Sequence, residues 1–214
     1  MTEVENTGLH IHDLQPSKTA LLVIDVQNDF CHDEGVFSKK KKFDLTAVQE
    51  AVTQLIPFVD RCRQFNLAII FIQTIHSSWT DSPSWIKRLG GAAEKMHICP
   101  PDSWGSQFYR LMPMESDCIV TKHRFSAFAG TDLDLILRSK GIETILCTGL
   151  TTNVCVETTA RDGVNRNYNV ILLEDCCAAF DPGEHQAALN NINKYFGVVT
   201  SSSIFLETLE KQDK

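Results

Sequence analysis

The stretch Ile142–Gly163 reads IETILCTGLTTNVCVETTARDG. Its opening, Ile142 to Thr148, has the apolar character of a buried strand, and helical sequence is expected from about Asn153 to Asn167. A strand passing directly into a helix is the repeating unit of a parallel sheet. The same alternation extends in both directions. Upstream, Thr19 to Val26 (TALLVIDV) is an apolar run broken late by an acid, the pattern of a strand covered on both faces. Residues 44–66 carry apolar positions at helical spacing, with Pro57 as a possible kink. Leu67 to Ile72 and Cys118 to Lys122 read as further strands. Thr131-Asp132-Leu133-Asp134 has the spacing of a capping box, and Lys140-Gly141 closes that helix. Downstream, Val170 to Leu173 reads as a strand ending at Glu174-Asp175. Asp181-Pro182-Gly183-Glu184 starts a helix that runs to Phe196-Gly197, and Val198 to Thr200 forms a last strand. The fold class is therefore α/β, a parallel sheet with helices on both faces. Residues 1–18 read as a polar, loosely ordered arm and 19–214 as one domain, with residues 76–113 as loops and short helical pieces.

The remaining sequence narrows the class of function. The chain has 214 residues, 43% of them apolar and 22% charged, and a net charge of −7. That balance suits one globular domain and disfavours nucleic acid or an anionic membrane as the main partner. The basic run Ser38–Lys42 lies between turn signals and reads as a solvated loop or a local patch. No apolar run reaches the length of a membrane span. The start, MTEVENTGLHIHDLQ, has neither the basic nor the apolar part of a signal peptide, so a cytoplasmic protein with reduced cysteines is expected. There are eight cysteines and no C-x-x-C, and Cys176 and Cys177 are adjacent. A disulfide framework or zinc site is not expected, and most of these cysteines read as packing residues.

In parallel sheets the chemistry collects at the carboxyl ends of the strands. Three reactive types stand there: Asp25 in DVQNDF, Lys122 in TKHRFSAF, and Cys155 in the first turn of the helix after Thr148. Each also has a plain structural reading, as a cap, a surface cation or a packed thiol. Together they match what a thiol nucleophile requires. A free thiol ionises near pH 8.5, and a helix N-terminus and a lysine both favour the thiolate. A carboxylate can accept the thiol proton and later activate water. Thr151, Thr152 and Asn153 suit the cap of the helix that carries Cys155.

On DVQNDF, KHRFSAFAGT and GLTTNVCVETTARDG, in this order and spacing, the chain resembles the isochorismatase-like cysteine hydrolase superfamily over roughly residues 19 to 207. The resemblance implies a three-layer, Rossmann-like sandwich around a six-stranded, mostly parallel sheet. It also implies an Asp25–Lys122–Cys155 triad. A non-proline cis peptide at Leu150–Thr151 would aim the N–H of Thr151, with that of Cys155, into an oxyanion hole. A cysteine at 155 favours C–N hydrolysis over the thiol-independent vinyl ether cleavage of isochorismatases proper. KHRFSAFAGT and NVCVETTARDG look most like the ureidoacrylate and N-carbamoyl amidohydrolase branch, which splits ureido or carbamoyl groups and releases ammonia.

Nicotinamidases in this superfamily carry Asp-x-His after the second strand. Here that stretch is Thr74-Ile75-His76, with the histidine but not the acid. No catalytic metal and no other cofactor are expected. Phe30, His76 and Trp104 are the candidate substrate contacts, and Trp79 and Trp85 lie in the same variable segment. Relatives are commonly dimers or tetramers, so a homo-oligomer acting on a small-molecule amide is expected. Two other readings stand beside it: a carboxamide hydrolase of the nicotinamidase type, and a non-catalytic binding or redox-sensing protein with Cys155 as its sensor.

Overall fold

A computed structural model of the protein describes residues 14–88 and 97–212. It contains a six-stranded sheet in the order β3-β2-β1-β4-β5-β6, every pair of neighbours parallel. The strands are β1 (Thr19–Ile24), β2 (Ala68–Thr74), β3 (Cys118–Lys122), β4 (Thr144–Leu150), β5 (Asn169–Ala178) and β6 (Val198–Thr200). The helices are α1 (Asn28–Cys31), α2 (Val36–Lys39), α3 (Thr46–Gln64), α4 (Pro83–Arg88), α5 (Leu133–Ser139), α6 (Glu157–Val164), α7 (Pro182–Asn191) and α8 (Ser202–Gln212). A π-helical turn, Thr152–Val156, joins β4 to α6, and another, Ile192–Phe196, ends α7.

Successive residues of β1 face opposite sides of the sheet, and this divides the core in two. Leu21 and Val23 join a cluster with Val48, Val52, Leu55 and Val59 of α3 and Phe205 and Leu209 of α8. Ala20, Leu22 and Ile24 join a second cluster with Leu133 and Leu137 of α5, Ala160 of α6 and Leu189 of α7. Every residue of β1 and of β4 is buried, which explains their largely apolar composition. Edge strand β3 instead exposes Ile119 and Thr121 and buries Val120 and Lys122.

Several local expectations are revised. Of the arm, residues 1–13 lie outside the described residues, but 14–18 are ordered: Leu14 is buried, and Pro16–Lys18 forms a 3-10 turn. Helix α3 continues through Pro57. Strand β5 does not stop at Glu174-Asp175 but runs on to Ala178, because Cys176, Cys177 and Ala178 are buried and the Asp175 carboxylate receives the backbone and hydroxyl of Ser202 at the start of α8. The capping box at Thr131–Asp134 does not form. The Asp132 side chain makes no cap bond, and the Thr131 hydroxyl accepts from Leu133 N at 3.2 Å instead. At α7 the expected start holds, with Asp181 accepting from Glu184 N at 3.0 Å and Pro182 in the first turn.

The order of strands matters for function because it reverses between β1 and β4. That is the switch point at which open α/β sheets leave a crevice beyond their carboxyl ends. DVQNDF leaves β1 at this point, and its polar residues fasten the 99–106 segment over the strand ends. Gln27 is fully buried. Its amide nitrogen donates to Thr74 O (3.0 Å) and Ser106 O (2.8 Å), and its oxygen accepts from Thr74 N (2.7 Å). Asn28 donates to Trp104 O at 2.8 Å, and Asp29 accepts from Cys99 N at 2.7 Å. Gly105 fits against this latch because a Cβ there would come within 2.3 Å of the Asp29 carboxylate. On the other side of the crevice Gly149 has φ +99°, and a Cβ would lie 2.1 Å from Ile24 O. Only glycine allows β4 to approach β1 in that conformation.

Gln27→Ala strands three buried backbone groups at once. The variant should lose about 2–4 kcal/mol of stability in urea unfolding, since each unpaired buried group costs roughly 1–3 kcal/mol. A loss below about 0.5 kcal/mol would show that the latch carries no load.

Candidate active site

Asp25 follows the last residue of β1, with φ 54° and its N–H bonded to Ile72 O at 2.9 Å. Lys122 ends β3, which lies two strands away across β2. With neighbouring strands about 4.8 Å apart, only a long side chain can cross that gap. Lysine does so over the end of β2. Its ammonium lies 2.8 Å from Asp25 Oδ2 and donates to Thr74 Oγ1 at 2.8 Å and to Arg124 O at 3.0 Å. The Thr74 hydroxyl in turn donates to Asp25 Oδ1 at 2.8 Å. Asp25 and Lys122 are each 1% exposed.

The sulfur of Cys155 stands 3.5 Å from the same ammonium. Three strand ends thus converge on one point, where the structure brings Asp25, Lys122 and Cys155 together. Among the described residues, Asp25 Oδ2 has no partner in hydrogen-bond geometry beside its ion pair with Lys122. The Asp25 charge also acts on the thiol directly.

The electrostatics differ from the sequence expectation. The Cys155 thiol is not lowered. Burial first, and the Asp25 charge second, push it up to about 12 against the opposing pull of Lys122. At rest Cys155 is therefore a protonated thiol beside a carboxylate. For Lys122, burial works against the charge, but Asp25 and Cys155 outweigh it and the ammonium is held above its usual range. Cys31, Cys62, Cys99, Cys147, Cys176 and Cys177 are fully buried, and all eight cysteines are free.

The Leu150–Thr151 peptide is cis. Thr151 O accepts from Val154 N (3.1 Å) and from Val156 N (3.2 Å), and neither bond uses the N–H of Cys155. The expected capping by Thr151, Thr152 and Asn153 does not occur, since no side chain caps this turn. Thr152 and Asn153 reach outward to α7 instead. Behind Cys155, Thr159 donates to Cys155 O at 2.7 Å and accepts from Ala127 N at 3.0 Å, tying α6 to the KHRFSAF segment.

The three candidate substrate contacts have separate sets of neighbours. Phe30 packs against Phe37 at 4.9 Å, in a series that continues through Phe180 to Phe43. His76 pairs through Nδ1 with Asp81 at 2.9 Å and stacks near Trp85 at 6.2 Å. Trp104 meets His32 edge-on at 5.0 Å and remains 46% exposed. Trp79 is 96% exposed, whereas Trp85 packs against Phe125 and under the Arg124 guanidinium. Among the described residues no group of three or more His, Cys, Asp or Glu could hold a metal ion. Two clefts of about 490 and 530 Å3 lie elsewhere, and neither is lined by Asp25, Lys122 or Cys155.

Thr74, Gln27 and Asp29 were not singled out from the sequence. Their signal was faint: a polar residue closing an otherwise apolar strand, and a run of polar residues straight after one.

Known proteins match this architecture along nearly the whole chain. The isochorismatase domain family matches residues 19–204. A ureidoacrylate amidohydrolase RutB of Klebsiella pneumoniae (strain 342) is 34% identical over 213 residues, covering 91% of this chain and 88% of that protein. Among solved structures, a cysteine hydrolase from Pseudomonas syringae pv. phaseolicola 1448A superposes with a TM-score of 0.81 at 28% identity, covering 92% of this chain and 95% of that one. The N-carbamoylsarcosine amidase of Thermoplasma acidophilum does so with a TM-score of 0.70 at 30% identity, covering 86% and 96%. The chain belongs to the isochorismatase family.

Proposed function

We propose that the protein is a cysteine-dependent amidohydrolase that cleaves the C–N bond of a small ureido or carbamoyl amide and releases ammonia. One observation carries this reading: a buried carboxylate and ammonium 2.8 Å apart, with a cysteine sulfur 3.5 Å from that ammonium at the carboxyl edge of the sheet. Its similarity to ureidoacrylate amidohydrolases and to an N-carbamoylsarcosine amidase supports the choice of ureido and carbamoyl groups.

In this reading each side chain has a task. The Cys155 proton passes to Asp25, whose Oδ2 has an acceptor site open. As the sulfur gains charge and attacks the substrate carbonyl, Lys122 stabilises it. The N–H groups of Thr151 and Cys155 receive the developing oxyanion. Collapse of the tetrahedral adduct breaks the C–N bond, and Asp25 returns the proton to the departing nitrogen, which leaves as ammonia. Water, deprotonated by Asp25, then cleaves the thioester and regenerates the thiol. A ureido substrate yields a carbamic acid, which loses carbon dioxide. The raised thiol suits this scheme, because proton transfer and attack are coupled and no free thiolate is exposed to oxidants between turnovers.

Phe30, His76 and Trp104 are proposed as walls of the substrate site, with no resident metal or cofactor. Residues 1–18 are proposed as an arm to the hydrolase domain, and a cytoplasmic homo-oligomer, dimer or tetramer, is the proposed working state. No helix among the described residues is long and apolar enough to cross a membrane. Light scattering on the purified protein checks the oligomer; a monodisperse monomer would contradict it.

Ammonia release from ureidoacrylate, N-carbamoyl amino acids, biuret and nicotinamide is the direct assay. Turnover should favour the ureido and carbamoyl compounds, and preference for nicotinamide would transfer the protein to the carboxamide reading. Cys155→Ala should lower kcat by on the order of 10³-fold or more with the fold intact, the scale seen when a nucleophile is removed. An active Cys155→Ala protein would falsify the mechanism.

The charge arrangement also predicts opposite pH shifts. Asp25 raises the thiol and Lys122 lowers it. The pH midpoint of Cys155 alkylation by iodoacetamide, read peptide by peptide, should therefore fall in Asp25→Asn and rise in Lys122→Met. Hydrolysis should be lost in both. Midpoints that move together, or not at all, would contradict the assigned electrostatics.

A further inference from the structure

The nucleophile turn is a structure without a cap of its own. Residues Thr152–Val156 form a single π-helical turn, in which five-residue spacing replaces the usual α-helical bonding. No side chain caps it. Its polar side chains point instead to one place. Thr152 Oγ1 lies 2.8 Å from His185 Nδ1, and Asn153 Nδ2 donates to Glu184 Oε2 at 2.7 Å.

Both partners belong to the first turn of α7, which is itself firmly seated. Asp181 caps it, Pro182 fixes its first residue, and it follows directly on β5, which stays paired with β4 as far as Leu150 and Ala178. The two elements that meet here are thus the continuations of adjacent strands. Thr152 is 0% exposed, so its hydroxyl depends on the imidazole to satisfy it. His185 is half-buried, and burial holds its imidazole below the usual range. The groups facing it are Glu174 of β5, Glu184 beside it on α7, and Glu50 of α3 with Asp175 of β5, the latter two lining the same cleft of about 530 Å3. Because the ring faces that cleft, truncating it removes little core packing.

We infer that His185 and Glu184 are positioning residues: the first turn of α7 clamps the Thr151–Cys155 turn from behind, holding the Cys155 sulfur against Lys122 and the Thr151 and Cys155 N–H groups toward one oxyanion position. Neither residue touches the reacting atoms. His185 is the stronger half, because it holds a buried hydroxyl three residues before Cys155. Glu184 is exposed and contributes less. The kinetic part of the test rests on the amidohydrolase reading; the alkylation part does not.

The experiment compares His185→Ala, His185→Asn, Thr152→Val and the His185→Ala/Thr152→Val pair in the full chain. It measures kcat, KM, the iodoacetamide rate constant at Cys155 and the melting temperature. His185→Ala and Thr152→Val should each lower kcat about tenfold or more with KM within about twofold, since small misplacements of reacting groups cost rate more than binding. The pair should be no worse than either single variant, as for two halves of one contact. Asparagine places an amide atom where Nδ1 stood, so His185→Asn should recover most of the lost rate. The rate of Cys155 alkylation should change at least about threefold in His185→Ala and return toward the original in His185→Asn. A folded His185→Ala protein with unchanged kcat and alkylation overturns the clamp, as do losses that multiply in the pair, or an Asn variant as impaired as the Ala variant. Should the unaltered protein hydrolyse none of the amides, the hydrolase reading fails by itself, and the alkylation rates still decide the clamp.

Discussion

The ion pair between Asp25 and Lys122 constrains everything around it. Two charges at 1% exposure have lost their water, and that desolvation is recovered only if partners are held in good geometry. Thr74 supplies part of this, bridging the ammonium and the carboxylate through one hydroxyl. Arg124 O takes a further ammonium proton. Such a pair is a poor way to stabilise a fold, since well-packed apolar residues would do as well. Its presence at the switch point of the sheet is better understood as chemistry that the fold supports.

The support is layered. The all-buried strands β1 and β4 bring Asp25 and the nucleophile turn to the same crevice, and Gly149 allows the close approach between them. The Gln27–Asn28–Asp29 latch binds the 99–106 segment over the strand ends through that segment's backbone groups. Thr159 and the first turn of α7 hold the nucleophile turn from two further directions. Polar residues clustered at the carboxyl edge thus divide into those that react and those that keep others in place. The sequence alone does not separate the two groups.

The resting state of the nucleophile follows from the same balance. A helix start and a lysine were expected to lower the thiol, but burial and the neighbouring carboxylate outweigh them. In the proposed mechanism, reactivity comes from a base within reach, and the proton leaves as the carbon–sulfur bond forms. Six other cysteines are buried as well, and burial raises each of their thiols.

By itself the sequence determined the alternation of strands and helices, the parallel sheet, and the three strand ends bearing an acid, a lysine and a thiol. It could do so because strand burial and helix periodicity are local, written in runs of a few residues. It also located the α7 start correctly, since an Asp-Pro cap acts within four residues. Only the tertiary structure decided that Lys122 crosses β2 to reach Asp25, that Thr74 bridges them, and that the thiol lies high. The extension of β5 past two acids, the failure of the Thr131 capping box and the outward turn of Thr152 and Asn153 belong to the same group. Each depends on which distant residue fills the space next to a polar group: Ser202 beside Asp175, His185 beside Thr152, the carboxylate beside the sulfur. Hydrogen bonds and desolvation are set by those neighbours in space, and spacing along the chain does not encode them.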